Sequence, residues 1–177
     1  MNGFSIRKAF AQDLPFLLEI DRMSCEREGI AWNQAEREPL ARSFTDWEPN
    51  FAFVACHENV PIGAIMLRAR LTSDSSLLGV QRTLLHPLIG TSTRFVDIFD
   101  IWIEPECRRL HVATELKKML EEECRAKNIK WIFTFQHFEN IAAIRMNEKL
   151  GYEHIGTLQM YDEVPRVCFL RRVEPHP

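Results

Sequence analysis

The sequence predicts an α+β sandwich in one domain, about four helices covering a mixed sheet of about seven strands. Three observations carry that reading. β-rich runs alternate with helical ones along the chain. The apolar period changes from two to three-or-four after Pro105. No repeat, low-complexity tract or Gly/Ser linker divides the 177 residues.

The elements follow in order. Phe4-Ser5-Ile6-Arg7 alternates apolar and polar as a short strand does, and Asp13 before Leu14-Pro15 reads as an N-cap opening a helix. Residues 22–49 carry dense charge of both signs with Trp32 and Trp47, which suits an irregular or short-helical segment over the core. Phe51 to Cys56 and Ile62 to Leu71 predict a hairpin turning through Glu58-Asn59-Val60-Pro61. Ser73 to Ser92 is a long connection that Leu77, Leu78, Leu84, Leu85 and Leu88 make partly helical. Thr93 to Ile103 is the next strand. Val112, Leu116, Met119, Leu120 and Cys124 then mark an amphipathic helix. Trp131 to Phe135 is a strand, Asn140 caps a helix through Leu150, and Gly151 closes it. Residues 153–160 and Val167 to Val173 are the last two strands.

Composition narrows the function. A 46% hydrophobic content supplies a continuous core, and a net charge of −3 with no run of like charges offers no field for nucleic acid. No apolar stretch is long enough to span a membrane and no secretory leader precedes Asp13, so a cytoplasmic protein is expected. The five cysteines are odd in number without a CxxC pair, and the histidines lack ligand spacing, so no metal is expected.

The chemistry concentrates in Asp97 to Leu116. A strand runs out at Ile103, Pro105 turns the chain, and a helix starts near Arg108 to Val112. Such a junction leaves unpaired backbone N–H groups at the positive end of a helix dipole, which is how proteins hold phosphate. Arg108 and Arg109 add cationic donors there, and arginine beside a positive helix end is unfavourable unless an anion is present.

These residues resemble the GNAT (N-acetyltransferase) superfamily, whose cofactor loop reads Q/R-x-x-G-x-G/A after a strand ending in V-x-P. Ile103-Glu104-Pro105, Arg108-Arg109-Leu110-His111-Val112-Ala113 and Leu116 carry the first half. Asn140-Ile141-Ala142-Ala143-Ile144 to Gly151-Tyr152 follows the family's N-x-x-A-I-x-x-Y-x-x-x-G-F block, and Ile6 to Pro15 fits its opening strand and helix. The resemblance implies a mostly antiparallel sheet, acetyl-CoA or another acyl-CoA as co-substrate, and acyl transfer to a primary amine of a small molecule or peptide. It also implies that Arg108, Arg109, Leu110, His111, Val112, Ala113 and Thr114 hold the coenzyme A pyrophosphate. Pantetheine would run along Ile101-Trp102-Ile103, pairing with Ile101 and Ile103, and Asn140 and Asn147 would contact the cofactor. Homodimers are common among relatives.

Two positions depart from the pattern. His111 stands where glycine permits positive φ and close approach to phosphate. Its imidazole either points away, or donates to the phosphates, or weakens cofactor binding. Asn147 stands where many relatives place the tyrosine that protonates the leaving thiolate, and an amide supplies no such proton. A thiol with pKa about 8.5 leaves tolerably without one. Asp100 is the candidate base, since deprotonating a lysine-like amine at pH 7 costs about 4.6 kcal/mol. The plain alternative is a structural strand carboxylate. Asp97 falls on the opposite face of that strand. Tyr161 is a reserve acid, and Cys107 is a packing residue rather than a nucleophile. A GNAT-fold acyl-CoA-binding or protein-interaction module without turnover is the alternative function.

Overall fold

The computed structural model describes residues 3–46, 49–160 and 162–174. Alternation at period two sets seven strands, and amphipathic spacing sets five α-helices. They are β1 (Phe4–Lys8), α1 (Leu14–Arg27), α2 (Gln34–Ser43), β2 (Asn50–His57), β3 (Val60–Leu71), α3 (Gly79–Ile89) and β4 (Arg94–Ile103). α4 (Val112–Ala126), β5 (Trp131–His137), α5 (Ile141–Lys149), β6 (Glu153–Gln159) and β7 (Pro165–Arg172) follow. The sheet order is β1-β2-β3-β4-β5-β7-β6. β4 and β5 run parallel through Val96↔Ile132 and Asp97↔Phe133, while β1–β2, β2–β3, β5–β7 and β6–β7 are antiparallel.

The chain forms two compact units, Met1–Arg68 with Phe99–Leu120 and Ala69–Ile98 with Glu121–Pro177. In the first, Leu17 and Ile20 of α1 pack on Ala52, Val54 and Cys56 of β2 and on Ala64 and Met66 of β3, with Phe44 beside them. The period of two on the strands and of three on the helix makes that burial possible. The β2–β3 turn is shorter than the sequence implies. Glu58 and Asn59 take φ 48° and 68°, so a two-residue turn suffices and β3 begins at Val60, with His57 facing Val60.

Asp13 precedes α1 as expected but caps nothing in it. Its buried carboxylate accepts from the Phe10 amide at 2.8 Å and from both terminal nitrogens of Arg7 at 2.6 and 2.8 Å, tying β1 to the helix entry. The 22–49 segment is more regular than expected: α1 continues through Arg27 and α2 covers Gln34–Ser43, capped by Asn33, whose Oδ1 accepts from the Ala35 amide. Trp47 lies outside the described residues.

In the second unit Phe95 and Phe133 meet edge to face at 6.4 Å, with Leu85, Cys168 and Leu170 around them. The 73–92 connection is helical in α3 and pinned at both ends. Thr72 Oγ1 donates to Gly90 O at 2.8 Å and accepts from Thr93 N at 2.9 Å. Arg70 reaches the fully buried Asp97 at 3.4 Å. Along α4 the buried stripe is Val112, Leu116, Leu120 and Cys124 with Lys117 at its edge. Met119 is 37% exposed, because a straight helix carries the stripe round to the 117 and 121 side.

Candidate functional site

The loop after β4 is built by hydrogen bonds that end at the Arg108 amide. Glu104 N donates to Ile62 O at 2.9 Å, Cys107 N closes on Glu104 O and Arg108 N on Pro105 O at 3.3 Å. Arg109 and His111 then both take φ 63°. The first bond of α4 runs from Glu115 N to His111 O at 3.0 Å. Among the described residues, the amides of Arg109 through Thr114 donate to no group. They lie at the positive end of a fifteen-residue helix.

Side chains fix the loop from both sides. Val112 is buried, whereas Arg109, Leu110 and His111 are exposed. Arg108 Nε donates to Ile103 O at 3.1 Å and its guanidinium lies 5.2 Å from the Trp102 ring centre. Arg108 spends its amide on Pro105, and its side chain lies against the strand end. Gly63 permits the close packing of that end, since a Cβ there would stand 2.6 Å from Ile103 Cδ1 and 2.8 Å from Trp102 O. The Trp102 indole nitrogen is buried without a hydrogen-bond partner.

Asp100, in the same unit, is not a bare strand carboxylate. Its side chain is 11% exposed. Oδ1 accepts from the Ile101 amide at 2.7 Å, Oδ2 accepts from Ser24 Oγ, and Arg27 Nη2 stands 3.9 Å from Oδ1. Arg27 Nη2 also donates to Ser24 Oγ at 2.8 Å. Burial pushes the carboxyl above its ordinary range, against the hydrogen bond from Ser24 and the charge of Arg27, which pull it down. Ile101 thus spends its amide on its neighbour's carboxylate.

In the second unit Asn140 caps α5, its Oδ1 accepting from Ala143 N at 3.2 Å. Asn147 is wholly buried and donates through Nδ2 to Gln136 Oε1 at 2.7 Å, while Gln136 Nε2 donates to Val167 O. Its amide therefore links α5 to β5. Of the two tyrosines, Tyr152 is buried and burial drives its phenol upward, and Tyr161 lies outside the described residues. Asp97 is fully buried beside Arg70.

Sequence reasoning missed Ser24 and Arg27. They are one helical turn apart, a spacing that says which face they share but not which strand they meet. It also missed Asp21, which accepts from Trp32 Nε1 at 2.9 Å and from Arg37 Nε at 2.8 Å. Among the described residues no group of three His, Cys, Asp or Glu could hold a metal, all five cysteines are free, and no helix is long and apolar enough to cross a membrane.

Comparison with known proteins adds three findings. A model of the acetyltransferase (GNAT) family matches residues 16–152. None of the curated proteins matches the chain. Solved structures match in fold: Arabidopsis thaliana NAA60 in complex with acetyl-CoA has a TM-score of 0.76 at 14% identity, over 96% of this chain and 98% of that one. The ribosomal-protein-S18-alanine N-acetyltransferase from Escherichia coli gives 0.69 at 15%, over 98% and 96%. FeeM, an N-acyl amino acid synthase from uncultured soil microbes, gives 0.70 at 17%, over 96% and 91%.

Proposed function

The chain belongs to the GNAT acetyltransferase family, and from that premise we propose that it transfers an acetyl or other short acyl group from acyl-CoA to a primary amine of a small molecule or peptide, by direct attack in a ternary complex. The observation that carries this reading is the row of undonated amides from Arg109 to Thr114 at the start of α4. They fit a diphosphate: each N–H lacks a partner, the helix dipole favours an anion, and Arg109 adds a cation with no ion pair among the described residues. Acetyl-CoA is the co-substrate in this reading, in keeping with the acetyl-CoA seen in the NAA60 structure. Ile101, Trp102 and Ile103 would flank its pantetheine.

The bound thioester supplies an activated acyl carbon. The chain's own work is to orient the amine and take its proton. Asp100 is the base, its raised proton affinity bringing it closer to the working pH than an exposed aspartate. The amine nitrogen bonds to the acyl carbon, the carbon–sulfur bond breaks, and the sulfur leaves as thiolate. Asn147 supplies no proton to it.

One observation favours a second reading, a GNAT-fold binding module: the side chain standing at the acid position is buried and bonded to Gln136. Calorimetry with acetyl-CoA, combined with thiol release across small amines and amino-terminal peptides, separates the two. Micromolar binding with thiol release supports transfer, and binding alone supports the module. Failure to bind acetyl-CoA or CoA overturns both.

A further inference from the structure

Asp100 is held from outside its own strand. Its two carboxylate oxygens face different donors, Oδ1 the Ile101 amide on β4 and Oδ2 the Ser24 hydroxyl on α1. Ser24 is in turn fixed by Arg27, whose Nη2 donates to it at 2.8 Å while lying 3.9 Å from Asp100 Oδ1. A hydroxyl that accepts from a guanidinium has its hydrogen directed to its other neighbour, so the chain Arg27–Ser24–Asp100 is polarised in one sense. A carboxylate pinned at both oxygens has one orientation, which a proton acceptor for a bound amine needs.

We infer that Ser24 and Arg27 are positioning residues for Asp100, setting the orientation and the proton affinity of its carboxylate. The inference rests on Asp100 acting as the base. Among the described residues, the further charged and titratable groups beside Asp100 lie on α1. Asp21 raises its proton affinity and is itself bound by Arg37 of α2, and Cys25 is buried next to Ser24. Arg68 of β3 stacks over the neighbouring Phe99 at 4.6 Å. Ser24 and Arg27 both draw the Asp100 carboxyl downward, so removing either leaves burial less opposed and moves its titration to higher pH.

The test uses the full chain labelled with 13C at aspartate carboxyls, with the Asp100 signal assigned by its loss in Asp100→Asn. Ser24→Ala and Arg27→Gln are each expected to move the Asp100 midpoint upward. Ser24→Thr, which keeps the hydroxyl, should return it toward the wild-type value. Arg22→Gln removes a charge from the same helix, one that pairs with Glu19 and Glu26, and should leave the midpoint in place. Thiol release from acetyl-CoA with the amines that support it gives the second readout. The acid limb of kcat/KM should move in step with the midpoint, kcat should fall about tenfold in Ser24→Ala, and the acetyl-CoA Kd should hold. An Asp100 midpoint unmoved by Ser24→Ala and Arg27→Gln overturns the positioning role whether or not turnover changes. Unchanged turnover in Asp100→Asn instead removes Asp100 as base, and with it the reading beneath.

Discussion

His111 holds φ 63° without being glycine, in a region where a Cβ crowds the following carbonyl at a cost of roughly 1–2 kcal/mol. The His111→Gly variant should therefore gain about 1 kcal/mol of stability, less the extra freedom glycine has when unfolded, read as a higher urea midpoint with unchanged slope. Its acetyl-CoA affinity should stay equal or improve, because the amides around it keep their positions. A tenfold loss on calorimetry would show that the imidazole itself meets the phosphates. Gly63 makes the reverse case. Gly63→Ala places a methyl 2.8 Å from Trp102 O, a backbone atom that cannot swing aside, and should cost about 1–3 kcal/mol. At this scale the left-handed turn at His111 was legible in the sequence, because the resembled family pattern places a glycine there, whereas the same turn at Arg109 was not. Ser24 was not, since a serine in a helix reads as ordinary until the fold sets Asp100 against it.

The elements were legible where a period repeats, and less so where tertiary partners decide. α4 follows its three-and-four spacing, and α3 appears where leucines recur in the 73–92 connection. The segment after α1 was harder. Nothing in the interleaved charges of residues 22–49 says that Arg37 turns inward, yet it does so to reach Asp21. Asp21, 3% exposed, takes Arg37 and Trp32 together and so fixes α2 against α1. Asp21→Ala should remove that clamp. A fully buried pair would lose 3–5 kcal/mol, but the Arg37 side chain is 31% exposed and water recovers part of its solvation, so about 2 kcal/mol is expected. A urea midpoint within error of wild type would show that the clamp adds nothing to stability. Asp13 repeats the lesson at the start of α1: the residue was found, but its carboxylate turns back to Arg7 and Phe10 instead of to the helix.

At the scale of the whole molecule, the succession of strands and helices was legible because β-rich and helical runs alternate, whereas the use made of each buried carboxylate was not. Asp13 and Asp100 illustrate opposite consequences for stability against pH. Burial pushes Asp13 up, but the hydrogen bonds from Arg7 and the Phe10 amide outweigh it, so its folded proton affinity lies below the unfolded one. Its contribution is complete above the ordinary carboxylate range and is lost as pH falls through the folded value. Asp100 is raised by burial, so its folded form binds the proton more tightly than the unfolded chain does. That contribution is complete below the unfolded value and is lost as pH rises through the folded one, which makes Asp100 a liability at pH 7. Urea unfolding at pH 7, pH 4 and pH 2 distinguishes the two, because the Asp100 change falls above pH 4 and the Asp13 change below it. Asp13→Asn should destabilise the protein at pH 7 and narrow its loss of stability on acidification. Asp100→Asn should stabilise it at pH 7 relative to wild type, with the difference shrinking toward pH 4, while turnover drops. A gain in stability together with a loss of rate is the outcome a buried base predicts. An Asp100→Asn protein less stable than wild type at pH 7 would instead make the carboxylate a structural anchor for α1.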